Sequence, residues 1–180
     1  SDSMAMKATE LIFRWLPAAA VRKPSEEAVE KIHNAAAMAG MAASNALLGL
    51  THSMAHSLTS LFHLPHDLAS SILLPHILRY NGVETPHRFN PLTPGSRYIA
   101  HERYQEIADR LGLIGDGPNQ GVLLLCEAVT TLQRQLGLPM RLRECGIAKQ
   151  EYLVKLETLA ELAFEDRCTA TNPRQPLIQE

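Results

Sequence analysis

Four of the eight histidines in this 180-residue chain fall within fifteen positions, as His52, His56, His63 and His66. The window reads Gly49-Leu-Thr-His52-Ser-Met-Ala-His56-Ser-Leu-Thr-Ser-Leu-Phe-His63-Leu-Pro-His66-Asp67. His52 and His56 are four residues apart, so a helix sets both on one face with β-carbons about 6 Å apart. His66 follows a Leu-Pro break, which lets the chain fold back and aim a third imidazole at the same point. Neutral imidazoles suit divalent iron, zinc, nickel or copper, and suit magnesium or calcium least. Spacing alone leaves a plainer reading equally open, in which paired histidines cap helices, pack or face solvent. Two or three imidazoles are also an incomplete set, because such sites usually include a carboxylate. Asp67 is adjacent, but its position favours another task, the N-cap of the following helix. His63 and His76 read as packing or locally hydrogen-bonded residues, and Cys126, inside an apolar stretch, as a small core residue.

Helices must position these groups. Ala, Leu and Met abound while aromatic residues make up only 5%, and straight-chain residues lose little rotamer freedom in helices, so the balance favours an all-α fold. Ser1-Asp2-Ser3 offers caps for a first helix that Pro17 should stop. Pro24-Ser25 opens a long Ala/Met/Leu helix over residues 26–48, with Ala36, Gly40, Ala43 and Ala46 near one face and Gly49 as its break. Residues 50–62 form the helix of His52 and His56. The next helix runs from Asp67 through Leu78, with Pro75 kinking or restarting it and Asn81-Gly82 closing it. Residues 83–97 are rich in proline and polar groups and read as an irregular surface loop. Helices resume over 98–111, 119–136 and 149–164, separated by Gly112, by Gly115-Asp116-Gly117-Pro118 and by Gly137-Leu138-Pro139. The tail, residues 168–180, has no helical period. No strand-like alternation or internal repeat stands out. Residues 1–180 are expected to form one helical bundle domain.

Charge and composition exclude several partners. The 17 basic and 19 acidic residues are well mixed, net −2, so no basic field exists to hold a nucleic acid. No apolar run approaches the roughly 20 residues that span a bilayer, and residues 1–7 lack the regions of a signal peptide. Three widely spaced cysteines without a CxxC pair fit a reducing, cytoplasmic compartment. A chain that enters a helix at once suggests that its true beginning lies upstream.

The run Gly49-x-x-His52-x-x-x-His56-x-Leu58, then Pro65-His66-x-Leu68-Ala69, Leu74-Pro75-His76 and Arg79-Tyr80-Asn81, resembles the signature of iron-containing (type III) alcohol dehydrogenases. It is most similar to the alcohol dehydrogenase part of the bifunctional aldehyde–alcohol dehydrogenases. Lys31-x-His33-Asn34-Ala35-Ala36, Glu102-Arg103-Tyr104 and the closing Phe164-Glu165-Asp166-Arg167-Cys168-Thr169-x-x-Asn172-Pro173-Arg174 agree. The resemblance implies an all-α bundle, the C-terminal domain of that dehydroquinate synthase-like fold, without the N-terminal nucleotide-binding domain. It implies one divalent metal, Fe2+ ahead of Zn2+, held by an Asp and three His. His52 and His66 match two of those metal ligands. The other Asp and His belong to a DxxxH pair ahead of residue 1, since Asp2 is followed four residues on by Met6. His56 matches the catalytic-site histidine beside the metal and near the nicotinamide, a proton relay or substrate neighbour. Cys168 matches a position lining the substrate pocket in some relatives.

The implied activity of the full-length enzyme is NAD(P)-linked interconversion of small primary alcohols and aldehydes. The metal would lower the alcohol's pKa, the nicotinamide ring would take the hydride, and His56 could pass the proton outward. These 180 residues contain no glycine-rich dinucleotide turn after a strand, so the isolated chain is expected to be inactive. Two positions depart from the family pattern, Asp67 and Thr59, where glycines are usual. Asp67 could tighten metal binding, accept a hydrogen bond from a histidine, or block the cofactor. A competing reading is a non-catalytic helical assembly module with an eroded metal site, binding a copy of itself or another chain; relatives are often homo-oligomers. His66-Asp67 also imitates the core dipeptide of HD-type phosphohydrolases, but the surrounding motifs point elsewhere.

Overall fold

Proline and buried amides decide how these helices begin, continue and meet. In the computed structural model, which describes residues 1–91, 96–115, 117 and 120–179, no strand forms among those residues. The helices are α1 (Asp2–Ala19), α2 (Glu26–Ala46), α3 (Leu50–Phe62), α4 (His66–Asn81), α5 (Ala100–Arg110), α6 (Gly121–Gln135), α7 (Lys149–Val154) and α8 (Leu156–Glu165). Short 3-10 turns lie at Leu142–Cys145 and Thr169–Thr171. The all-α expectation is borne out. Parts of the expected loop at 83–97 and of the break at 115–118, the helix start at Asn119, and Glu180 lie outside the described residues.

Ser25 caps α2 as its position suggests, its hydroxyl accepting from the Ala28 N–H at 3.2 Å. Other boundaries differ from expectation. Pro17 does not stop α1, which continues to Ala19; so close to the helix end, a proline forfeits only one backbone hydrogen bond. Asp67 is not the N-cap of α4. Pro65 holds that position and the helix begins one residue earlier, at His66, leaving Asp67 in the first turn. There its negative charge faces the positive end of the helix dipole.

Pro75 neither ends nor restarts α4, which is continuous from His66 to Asn81. Its missing N–H leaves the Ser71 carbonyl without an intrahelical donor. Gln133 of α6 supplies one, its Nε2 donating to Ser71 O at 2.5 Å and meeting Ser71 Oγ at 3.0 Å. The Cys126 thiol, also on α6, donates to the Pro75 carbonyl at 3.4 Å. The proline that should weaken α4 thus docks it on α6. Residues 149–164 are likewise not one helix but two, broken at Lys155. From that break the Lys155 ammonium reaches the Leu61 carbonyl near the C-terminus of α3, at 3.1 Å, and lies 4.6 Å over the Phe62 ring.

α1 and α2 pack as a hairpin, α3 packs on α4 and α8, and α6 packs on α4 and α5. One apolar cluster joins Leu50, Ala55 and Leu58 of α3 to Leu73 and Ile77 of α4 and Leu159 of α8. A second joins Leu78 of α4 to Leu125, Cys126 and Val129 of α6. Cys126 is fully buried, as its apolar setting implied. α4 belongs to both clusters, so its placement governs both halves of the packing. Among the described residues no helix is long and apolar enough to cross a membrane.

The tail is held despite lacking a helical period. Asn172, 1% exposed, accepts from the Leu50 N–H and from Asn81 Nδ2, both at 3.1 Å. Its own amide donates to Asn81 Oδ1 at 2.8 Å and to the Arg174 carbonyl at 2.6 Å. A β-carbon on Gly49 would stand 2.9 Å from Asn172 Oδ1, so the start of α3 can approach the tail only as glycine. Asn90 N–H donates to Pro173 O and Gln175 N–H to Arg88 O, flanking an isolated antiparallel bridge between Phe89 and Arg174.

Gln133→Ala should destabilise the chain by about 1–3 kcal/mol, the cost of stranding a part-buried carbonyl, measured as a lower urea midpoint. In a Pro75→Ala background, where residue 75 regains its N–H, the same change should cost less; equal costs in both backgrounds would contradict the docking role.

Candidate metal centre

Residues 49–66 turn sequence spacing into convergence. Gly49 is the N-cap of α3, and His52 and His56 stand on successive turns of that helix. His63 ends it in the left-handed conformation, φ 53°, an uncommon state for a non-glycine residue that reverses the chain direction. Leu64 is buried beneath the turn, Pro65 caps α4, and His66 becomes the first residue of α4. The His66 ring then lies 5.5 Å from the His52 ring and 5.0 Å from the His56 ring, centroid to centroid, stacked on the latter at 26°. All three sequence-predicted histidines meet. His63 and His76 are exposed, and Asp67, also exposed, makes no hydrogen bond to a histidine among the described residues.

Two imidazoles bonded at about 2.1 Å to one tetrahedral metal place their centroids about 5 Å apart. The His52–His66 and His56–His66 separations both fit that requirement. Burial depresses the His52 pKa, and the neighbouring His66 and His56 depress it further, against a small opposite pull from Asp166. The shift favours the neutral form of His52, which carries a free lone pair. The Ser70 hydroxyl stands 3.5 Å from His66 Nε2.

His56 is committed differently. Its Nδ1 lies 2.8 Å from Asp166 Oδ2. Burial pushes the Asp166 carboxyl up, but the Cys168 N–H and the His56 ring outweigh it and hold the pKa below the usual carboxylate range. The Cys168 N–H donates to Asp166 Oδ1 at 2.8 Å. An ionised Asp166 accepts only, so Nδ1 of His56 carries a proton, and in the neutral ring it is Nε2 that presents a lone pair. The His56 side chain is 47% exposed and Asp166 19%, so the pair opens to solvent. Concavities of about 510 and 380 Å³ lie elsewhere, against α5 and α6.

Sequence reasoning missed Asp166 as a partner of His56. The residues are 110 positions apart, and only the family-like run 164–174 marked the tail at all. Thr59, a departure from the family pattern, lies on the turn after His56, and its hydroxyl is buried without a hydrogen-bond partner among the described residues.

Comparison with known proteins decides the family. Residues 1–180 match the Fe-containing alcohol dehydrogenase family, C-terminal. The chain belongs to this family. It is 41% identical over 184 residues to the bifunctional aldehyde-alcohol dehydrogenase of Escherichia coli strain K12, covering 100% of this chain and 20% of that protein. It is 37% identical over 175 residues to the NADPH-dependent butanol dehydrogenase of Clostridium saccharobutylicum, covering 97% of this chain and 41% of that one. The solved iron-containing alcohol dehydrogenase from Thermococcus thioreducens aligns with a TM-score of 0.81 at 35% identity, over 99% of this chain and 41% of that chain. The chain thus spans between a fifth and two fifths of these relatives, as the C-terminal part of the family's fold. The motif-based resemblance and the fold it implied are both borne out.

Long-range proton–nitrogen NMR correlations should show His56 as the Nδ1–H tautomer, and Asp166→Ala should shift it toward the Nε2–H form usual in free histidine. A His56 already Nε2-protonated in the unaltered chain would contradict the assignment.

Proposed function

We propose that His52 and His66 are two ligands of one divalent metal, iron first and zinc second, in an NAD(P)-linked alcohol dehydrogenase acting on small primary alcohols and aldehydes. The observation that carries this reading is the 5.5 Å spacing of the two rings across the α3–α4 turn, in a chain of this family. When bound, the metal supplies Lewis acidity toward the substrate oxygen, and the nicotinamide supplies the hydride chemistry. The chain's own residues handle the proton. His56 accepts it at Nε2, Asp166 keeps Nδ1–H oriented and steadies the imidazolium, and the half-exposed ring releases the proton to water. His52, held neutral, keeps its lone pair for the metal.

No Asp in these 180 residues is followed by a histidine four positions later. In this reading the remaining Asp and His ligands, and the nucleotide site, come from outside them, and the isolated chain reduces no aldehyde. Three free thiols accord with a reducing, cytoplasmic setting.

A second reading, assembly with a copy of itself or another chain, is favoured by one feature. α7 and α8 expose Leu153, Val154, Leu156, Leu162 and Phe164, with Val154 76% exposed. A mass that rises with concentration and ignores chelator would support it.

After anaerobic loading with ferrous iron and dialysis, mass spectrometry should find about one fewer iron per chain in a His52→Ala, His66→Ala double variant than in the unaltered chain. Iron that the unaltered chain retains and the double variant keeps undiminished, or NADH-dependent aldehyde reduction by the unaltered chain alone, would contradict the reading.

A further inference from the structure

We propose a second cation site, built from His56 Nδ1, Asp166 and Cys168 Sγ, that takes Zn2+ and is distinct from the His52–His66 pair. It does not rest on the reading above and stands or falls separately. His56, Asp166 and Cys168 each offer one ligand atom, and the three atoms lie within 4.8 Å of one another. They are the one such group of His, Cys, Asp or Glu among the described residues.

The local fold explains the grouping. α8 ends at Glu165, and Asp166 takes an extended conformation, φ −64° and ψ 137°. The Cys168 N–H then closes on Asp166 Oδ1 at 2.8 Å, which folds the thiol back over the carboxylate. The tail beyond is fixed by the Thr169 hydroxyl, which donates to the Ala163 carbonyl at 2.6 Å and meets the Ser53 hydroxyl at 2.7 Å. Ser53 precedes His56 by one turn of α3, so that link sets the height at which the turn meets the imidazole.

The donor set selects the ion. A thiolate, an imidazole and a carboxylate suit Zn2+ and disfavour Mg2+ or Ca2+. Three protein ligands with water in the fourth position make an open tetrahedral site. With Zn–S of about 2.3 Å and Zn–N and Zn–O of about 2.1 Å, tetrahedral donors stand roughly 3.3–3.7 Å apart. The N–O separation of 2.8 Å and the 4.8 Å limit on the other separations bracket that range. Side-chain rotations of His56, Asp166 and Cys168 that bring these separations into that range close the site. Cys168 is 8% exposed, and the half-exposed His56 gives the ion its entry.

Zn2+ binds Cys168 as the thiolate, releasing its proton to water. At His56 the Nδ1 proton gives way to the metal while Nε2 gains one, so one proton per ion is released in all. Zinc held here takes from Asp166 its hydrogen bond to His56 and removes the Nε2 lone pair, so an occupied site silences His56 as a proton acceptor.

The test uses Co2+ as the probe, titrated anaerobically into the metal-stripped 180-residue chain. A thiolate-to-cobalt charge-transfer band in the near ultraviolet should appear, and Zn2+ should abolish it by displacement. The band should vanish in Cys168→Ser and in His56→Ala, and persist in Cys145→Ser and in the His52→Ala, His66→Ala double variant, with far-ultraviolet circular dichroism confirming that each variant is folded. No band in the unaltered chain, or a band that survives Cys168→Ser, overturns the proposal. So does a band lost with Cys145, or one lost in the folded double variant, since the thiolate would then belong to another site. The double variant separates the two sites, because it removes only the ligands of the first.

Discussion

The side chain of Asn172 meets the first residue of α3, the last residue of α4 and the backbone of the tail, segments separated by about half to two thirds of the chain. An amide buried this completely must satisfy two donors and an acceptor oxygen, and Leu50, Asn81 and Arg174 do so. The network has one geometry in which every member is paired, and that geometry sets Gly49 against the amide and the tail against α3. Asp166 and Cys168 reach His56 because the tail is fastened here and at Thr169. Chemistry in the first two turns of α3 depends on a hydrogen-bonded junction at its start.

The second support of the site is α4. Its N-terminus carries His66, its middle contributes to two apolar clusters, and its C-terminus carries Asn81. A proline inside such a helix would ordinarily cost about 3 kcal/mol, yet here the freed Ser71 carbonyl becomes the acceptor that receives Gln133. The defect is converted into an interhelical contact. Rigid placement of α4 matters because the His52–His66 separation crosses from one helix to the next, and a one-residue slip would turn His66 away from the face of α3.

Legibility in the sequence followed the range of the interactions. The meeting of His52, His56 and His66 could be read because i,i+4 spacing and a Leu-Pro break are local signals, and the family could be read because its motifs are short and contiguous. Asp166 escaped because nothing within its own segment points to a histidine 110 residues earlier. The break at Lys155 escaped because its partner, the Leu61 carbonyl, lies on another helix. Backbone chemistry alone makes Pro17 a stop and Pro75 a kink or a restart, and it is blind to helix ends and to a glutamine on a neighbouring helix. Asp67 has the residue type of a cap, while Pro65 takes that position and leaves the acid in the first turn, behind His66.

In the proposed function the α3–α4 turn aims His52 and His66 at one metal. Anomalous diffraction at the iron edge, from anaerobic crystals of this chain soaked in ferrous iron, tests it most directly. The account predicts a peak within bonding distance of one nitrogen from each ring. No such peak between His52 and His66, with iron found only against Asp166 or elsewhere on the surface, would contradict it.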